Sequence, residues 1–328
     1  MSMRPSSSHY LPFEGELRDF DDRIRKLEDL CKQNNVDLTS EIESQIALRE
    51  LALRDISSKL SAWDRIQMAR HVSRPQTADY VEMMCQDFIE LHGDRSFADD
   101  RAILSGLAQV DGVRFMFIGQ HKGRDVHERS ICNFGSPQPE GFRKALLKMR
   151  LAEKLNLPIV CLIDTKGAAP DIGAEERGQS QAIAYNLMIM SGLKVPIVCI
   201  VIGEGGSGGA LGIAVGDRLL IQEFAYFSVI SPEGCASILW KDANRKADAA
   251  EALRITAPEL LRLGIVDGIV PEPLGGAHRD RTGAAKLLKK TILSELATLS
   301  TQPQTERLEN RYRKLRALGR YSEAGISN

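Results

Sequence analysis

Apolar side chains recur at helical spacing near the N-terminus. Leu17, Phe20, Ile24, Leu27 and Leu30 form one stripe, and Ile42, Ile46, Leu53, Ile56 and Leu60 form a second. Ser40-x-x-Glu43 has the form of a capping box and predicts where the second helix opens. Two amphipathic helices joined by a polar link predict a helical hairpin that covers a core or meets a partner subunit. Residues up to about Pro12 read as a loose arm.

From about residue 100 the pattern changes to short apolar runs alternating with helical periodicity. Segments 102–110 and 113–118, split by Asp111-Gly112, predict a β-hairpin. Residues 141–155 predict a helix, 159–163 a buried strand, 175–190 a helix and 195–202 a second buried strand. A short small-residue helix over 208–215 follows, then strands at 218–221, 226–230 and 265–270. The two central strand runs are continuously apolar rather than alternating, which requires cover on both faces and predicts an α/β domain. Residues 306–318 predict a basic helix carrying Arg307, Arg311, Arg313, Lys314 and Arg316, read as a solvated tail or a subunit contact.

Composition narrows the function classes. With 43% hydrophobic residues, the 328-residue chain can bury a core and is not a disordered one. Its 43 basic and 44 acidic side chains leave a net charge of −1, which argues against nucleic-acid binding. The six cysteines form no C-x-x-C pair, so the reading is a reduced, cytoplasmic protein without a zinc ribbon of its own. The six histidines form no metal-binding motif, and no metal is expected. The first residues lack the apolar core of a signal peptide, and the longest apolar run, eight residues over 195–202, is too short for a transmembrane helix.

Four loops are candidates for chemistry. Gly203-Glu204-Gly205-Gly206-Ser207-Gly208-Gly209-Ala210 follows a buried strand. At such a strand-to-helix junction, glycines let the backbone approach a ligand, and the first amides of the helix lack partners. They suit a developing oxyanion or a phosphate; tight helix–sheet packing explains the glycines equally well. Ser207 stands in surroundings resembling a nucleophile turn, with no base selected by spacing. Asp164-Thr165-Lys166-Gly167-Ala168-Ala169-Pro170-Asp171 leads to Glu175, Glu176 and Arg177; the acids suit a helix start, and Arg177 either pairs with them or faces a ligand. In Gly119-Gln120-His121-Lys122-Gly123-Arg124, Lys122 and Arg124 meet an anion or form an ordinary charged loop. Ser231-Pro232 reads as an N-cap and first helical residue, with a ligand role as the alternative.

Several of these segments together resemble one family. They are the Gly203–Ala210 run, Gly173-Ala174-Glu175-Glu176-Arg177-Gly178-Gln179-Ser180, and Val229-Ile230-Ser231-Pro232-Glu233-Gly234-Cys235-Ala236 with its continuation to Lys241. Gly93-Asp94-Arg95, Asn133-Phe134-Gly135, Pro139-Glu140-Gly141-Phe142-Arg143-Lys144-Ala145 and Glu272-Pro273-Leu274-Gly275-Gly276-Ala277-His278 add to them. In order along the chain, they resemble the α subunit of bacterial and plastid acetyl-CoA carboxylase carboxyltransferase. The resemblance implies a crotonase-like spiral of ββα units with an N-terminal helical extension. It implies an N-terminal arm and helix over 1–36, a CoA carboxyltransferase domain over 37–298 and a basic helical tail over 299–328. The implied reaction moves the carboxyl group of carboxybiotin, held on a biotin carboxyl carrier protein, to acetyl-CoA, giving malonyl-CoA for fatty-acid synthesis.

The implied partners are a β subunit in an α2β2 assembly, which carries the zinc, the carrier protein, and biotin carboxylase in the ATP-dependent holoenzyme. The resemblance places a backbone oxyanion hole for the biotin anion at Gly208 and Gly209, with Ala210 beside it. Gly205, Gly206, Ser207, Lys166, Gly167, Ala168, Arg177, Lys122 and Arg124 are the expected substrate-binding residues. Two other classes remain open: another enzyme of the same superfold, as a serine peptidase at Ser207 or an acyl-CoA hydratase or hydrolase, and a non-catalytic organising subunit. The chain departs from the family pattern Asp-Thr-Pro-Gly-Ala-Tyr-Pro-Gly at Lys166, Ala169 and Asp171. Three readings follow: an active, remodelled loop with Lys166 facing the carboxylate of carboxybiotin, a variant with altered partners or reduced activity, or a neutral change compensated in β.

Overall fold

The computed structural model describes residues 9–34 and 36–319. The two amphipathic stripes form helices α1 (Gly15–Asn34) and α2 (Thr39–Ser58), packed against each other as a hairpin. The predicted capping box at Ser40 does not form. Helix α2 opens two residues earlier, with Leu38 at the N-cap, where the Asp37 carboxylate accepts from the Thr39 N–H (3.0 Å) and hydroxyl (2.6 Å). Residues 1–8 of the expected arm lie outside the described residues, and its described end is tied down: the His9 carbonyl accepts from His71 Nε2 (2.7 Å), and the Tyr10 hydroxyl donates to Asp21 (2.6 Å).

Helices α3 (Ala62–Ala69) and α4 (Thr77–Met84) lead into the sheet. Strand β1 (Asp87–Glu90) is an antiparallel edge to β2 (Ile103–Val110), which forms the predicted hairpin with β3 (Val113–Gln120). The chain then crosses through α5 (Val126–Ile131) and α6 (Pro139–Lys154) to β4 (Ile159–Thr165), through α7 (Ile172–Glu176) and α8 (Gln179–Gly192) to β5 (Ile197–Gly206), and through α9 (Ser207–Leu211) to β6 (Arg218–Gln222). Strand β7 (Tyr226–Ser228), helices α10 (Pro232–Trp240), α11 (Lys246–Leu253) and α12 (Ala257–Arg262), and strand β8 (Gly268–Val270) follow. Helices α13 (Arg281–Ser300) and α14 (Gln304–Arg316) end the described fold. Among the described residues, eight strands form one sheet in the order β1-β2-β3-β4-β5-β6-β8, with β7 added to β5; from β3 onward every pairing is parallel.

The continuous apolar strands have the expected cause. Ile159, Cys161 and Ile163 of β4 pack on one face with Met149 of α6 and Met190 of α8. Val160 and Leu162 turn the other way, toward Tyr80 of α4 and Leu288 and Ile292 of α13. Both faces are covered, so no position of β4 or β5 can be polar without a partner; each fully buried side chain of this kind contributes about 1.5–3 kcal/mol.

Strands β7 and β8 are shorter than the 226–230 and 265–270 expected, and three further boundaries, those that shape the β4–β5 loops, differ from the sequence reading. The helix expected over 175–190 is two helices, because Gly178 takes φ +80° between α7 and α8. Strand β5 runs to Gly206 instead of ending at 202, because its glycine segment gains a second partner: Glu204, Gly205 and Gly206 pair with Tyr226, Phe227 and Ser228. The helix expected over 208–215 ends at Leu211.

The basic C-terminal helix is not a solvated tail. Arg311 is buried and donates to Asp217 through Nε (2.9 Å) and Nη2 (2.8 Å), and through Nη1 to the Met190 and Leu193 carbonyls (each 2.8 Å). Arg307 donates to the Lys194 carbonyl, and Lys314 pairs with Asp267 (2.7 Å). Three of the basic residues thus cap the end of α8 and the start of β6; Arg313 and Arg316 stay exposed. The domain boundary expected at 298 falls within the last turn of α13, and residues 320–328 lie outside the described residues.

Candidate functional site

Parallel strands β4 and β5 end side by side, and the loops they emit meet there, where open α/β sheets generally offer a ligand crevice. The approach is close enough to explain two glycines. A Cβ at Gly206 would strike the Lys166 carbonyl, and one at Gly209 would strike the main chain of Gly167 and Ala168. Between them Ser207 takes φ +53°, a left-handed turn that reverses the chain from strand to helix within one residue.

This reversal leaves the first amides of α9 without partners. Gly206, at the N-cap, has no side chain to offer, and among the described residues nothing accepts from the Gly208 or Gly209 N–H. The turn is braced from beneath by Gln120, which is fully buried at the end of β3. Its Nε2 donates to the Gly209 carbonyl (2.7 Å), and its Oε1 accepts from the Asp164 N–H (3.0 Å). One side chain thereby ties the α9 turn to the end of β4.

Gly206 and Ser207 line a cleft of about 560 Å³. Its floor is a charge network built from distant parts of the chain. Lys122 lies between Asp164 (2.6 Å) and Glu204 (2.8 Å). Arg70, at the end of α3, reaches Glu204 (2.8 Å) and Glu233 (2.7 Å), and the Tyr226 hydroxyl donates to Glu204 (2.6 Å). Burial would push the Glu204 carboxyl up, but Lys122 and Arg70 beside it hold it at about 2. Burial likewise opposes the charge on Lys122, and Asp164 and Glu204 raise its pKa regardless. The floor cations are therefore neutralised within the protein.

The wall differs. Lys166 is exposed on the cleft, and Arg129 donates only to the Gly123 carbonyl (3.3 Å); among the described residues neither has a carboxylate partner. Phe134 also lines the cleft. At the far rim His71 accepts the Ser73 N–H on Nδ1 (3.1 Å), so its proton sits on Nε2, toward His9. Burial pushes the His71 pKa down to about 4 and keeps the ring neutral.

Of the residues singled out from sequence, Gly206, Ser207, Lys166 and Lys122 line the cleft. Gly205 lies in β5 under Phe227, and Gly208, Gly209, Ala210, Gly167 and Ala168 form the paired loops behind the lining. Two are engaged elsewhere. Arg124 pairs with Asp79 (3.0 Å) and Glu82 (2.8 Å). Arg177 pairs with Glu140 (3.0 Å) and lies over the Phe97 ring rather than joining Glu175 or Glu176. Ser231 acts as the N-cap of α10, accepting from the Gly234 N–H (3.1 Å), while also lining the cleft. Asp171, where the family pattern has glycine, caps α7 through the Ala174 N–H (2.9 Å), and Ala169 is buried.

Sequence reasoning missed Gln120, Arg70, Tyr226 and Glu233. Arg70 and Glu204 are 134 residues apart in the chain, and no local pattern links them. Gln120 carried one available signal, an amide closing an apolar strand run, which has to find partners when buried. Among the described residues no three His, Cys, Asp or Glu side chains are placed to hold a metal ion.

Known proteins resemble this chain in sequence and in fold. The family described as acetyl co-enzyme A carboxylase carboxyltransferase-like matches residues 10–319. The acetyl-coenzyme A carboxylase carboxyl transferase subunit alpha of Rhodopirellula baltica is 51% identical over 317 residues, covering 95% of this chain and 98% of its own. The subunit of the same name from Methylococcus capsulatus is 52% identical over 314 residues, covering 96% and 98%. Among solved structures, transcarboxylase 12S with methylmalonyl-coenzyme A and methylmalonic acid bound superposes with a TM-score of 0.57 at 16% identity, over 78% of this chain and 44% of its own. The geranyl-CoA carboxylase beta subunit of P. aeruginosa gives 0.54 at 16% identity, over 75% and 46%. These structural likenesses bear out the expected crotonase-like α/β fold. By the match along its described length and by the identity of these relatives, the chain belongs to the acetyl co-enzyme A carboxylase carboxyltransferase-like family.

Proposed function

We propose that this chain is the α subunit of the carboxyltransferase component of an acetyl-CoA carboxylase, moving a carboxyl group from carboxybiotin to acetyl-CoA to give malonyl-CoA. Family membership supports the transferase activity and its biotin-linked chemistry. The observation that carries the residue assignment is the free amide pair at Gly208 and Gly209, at the head of a turn whose Gly206 and Ser207 line the cleft.

Carboxybiotin, presented on its carrier protein, supplies an activated carboxyl group whose departure leaves negative charge on the ureido oxygen. The Gly208 and Gly209 amides face no competing acceptor and are held by Gln120, so they need no reorganisation to receive that charge. Removing one aimed donor of this kind typically costs about 10²–10³ in rate. Ala210 follows them in the same turn. Lys166 supplies a cation for the transferred carboxylate, and Gly167 and Ala168 keep that loop against the turn. Lys122 acts indirectly, fixing Asp164 and Glu204 beneath the cleft. The remodelled 164–171 loop is compatible with activity, since Asp171 replaces a turn glycine with a capped helix start and Ala169 packs inside without a tyrosine.

A β subunit completes the site, carrying the zinc and the amides for the thioester, in an α2β2 assembly that also meets the biotin carboxyl carrier protein and works with biotin carboxylase. Exposed apolar side chains beside the cleft support such a partner: Leu211 on α9, Val229 next to Ile230, and Ile238 and Leu239 on α10. A cytoplasmic location goes with this reading; among the described residues, no helix is long and apolar enough to cross a membrane. The test is reconstitution: the purified chain, mixed with β subunit, carboxylated carrier and acetyl-CoA, forms malonyl-CoA, and neither subunit alone does so. Assembly without turnover would leave the chain as an organising subunit and end the proposal.

A further inference from the structure

The turn between α5 and α6 has no role in the chemistry so far. Asn133, Phe134 and Gly135 take φ +45°, +53° and +78° in succession. Two non-glycine residues in a row adopt the left-handed region, one of them a bulky aromatic, for which it is least suited. The surroundings hold them there. Gly135 N–H donates to the Cys132 carbonyl (2.8 Å), Ser136 N–H to the Asn133 carbonyl (2.9 Å), and Asn133 Nδ2 to the Ser136 carbonyl (2.9 Å). Gly135 lies so close to Lys122 that a Cβ would strike the lysine stem. The turn is therefore clamped to the side chain whose ammonium bridges Asp164 and Glu204.

This conformational cost does not bury the aromatic ring. Phe134 is 53% exposed and lines the same cleft as Lys166 and Arg129, which among the described residues have no carboxylate partner. A strained turn that holds an apolar ring in solvent, in a cleft that also carries two cations without a carboxylate partner among the described residues, is arranged for a ligand rather than for the core. A planar ring stacks on such a face, and a carboxylate meets the cations.

We propose that Phe134 is a substrate-recognition residue whose ring stacks on the ureido ring of carboxybiotin, with Arg129 and Lys166 beside it for the carboxylate. This rests on the reading of the cleft as the carboxybiotin site. The test uses the chain assembled with β subunit and compares Phe134→Ala, Phe134→Tyr and Phe134→Trp with wild type. In Phe134→Ala the KM for carboxylated carrier rises about tenfold, while kcat and the KM for acetyl-CoA change less than twofold; Phe134→Tyr restores the wild-type KM. Phe134→Trp, read against the wild-type emission from Trp63 and Trp240, loses added fluorescence when free biotin is titrated in. A rise in the KM for acetyl-CoA instead would assign the ring to the adenine of CoA, and unchanged KM values would make the turn structural; both overturn the proposal. If wild type itself fails to transfer carboxyl groups, the functional reading falls separately, and the absence of biotin quenching in Phe134→Trp still decides against Phe134.

Discussion

Replacing Gln120 with methionine tests the main-chain geometry at its support. The methionine side chain nearly conserves volume, so the cavity term is small, and the loss falls on two hydrogen bonds. The Gly209 carbonyl loses its donor at 2.7 Å, and the Asp164 amide loses its acceptor at 3.0 Å. The bridging side chain is fully buried, so water does not readily replace either partner. Each orphaned group costs about 1–3 kcal/mol, or about 2–6 kcal/mol together. Gln120→Glu separates the two arms, because a carboxylate still accepts from the Asp164 N–H but cannot donate to the Gly209 carbonyl. Urea unfolding of the purified chain reads the stability cost; carboxyl transfer with the β subunit reads the effect on the amides. Loosening the turn without deleting an amide lowers kcat about 10–100-fold, short of the loss expected for removing a donor. Both variants unfolding at the wild-type urea concentration with wild-type turnover would refute the argument that Gln120 holds the amide pair.

Glycine substitutions at the same turn divide sharply. Gly209→Ala drives a Cβ into the Gly167 and Ala168 main chain and abolishes transfer with a lowered melting temperature, whereas Gly208→Ala, with only Ile183 in ordinary contact, melts within about 2 °C of wild type. Lys166→Ala and Lys166→Pro lower kcat/KM for carboxylated carrier about fivefold with stability unchanged, since the side chain is exposed and unpaired; unchanged kinetics in both variants would end its assignment to the carboxylate. Arg311→Met strands Asp217 and the carbonyls at the end of α8, and chemical denaturation should show a loss of about 3–5 kcal/mol. His71, neutral in the fold with its pKa near 4, contributes stability that is complete above about 6.5 and is lost as pH falls toward 4, about 3 kcal/mol over the window. Asp100, pushed up to about 6 by burial, titrates in the opposite sense, so the measurement is the wild-type minus His71→Gln stability difference at pH 7 and pH 4, which shrinks on acidification.

Much of this protein was legible along the chain. The sheet centre was, because 159–163 and 197–202 are apolar at every position and only a strand covered on both faces requires that. The β2–β3 hairpin was, because Asp111-Gly112 supplies the left-handed turn residues such a hairpin needs, at φ +46° and +80°. The glycines of 203–209 marked the site for a local reason: two backbones approach too closely there for a side chain.

What tertiary structure decided is where charge meets charge. Arg311 looked like one more cation on a polar helix, and only the folded chain brings it to the open end of α8 and to Asp217, where burial makes every one of its donors find an acceptor. Arg177 and Arg124 left the predicted site because nearer carboxylates, Glu140, Asp79 and Glu82, took them. Arg70, Tyr226 and Glu233 entered it from segments with no local mark of function. Hydrophobic periodicity reports a residue's relation to its own helix or strand, so a linear reading recovers it. A buried polar group's partner is set by three-dimensional proximity between distant segments, and that is fixed only when the sheet and its covering helices close.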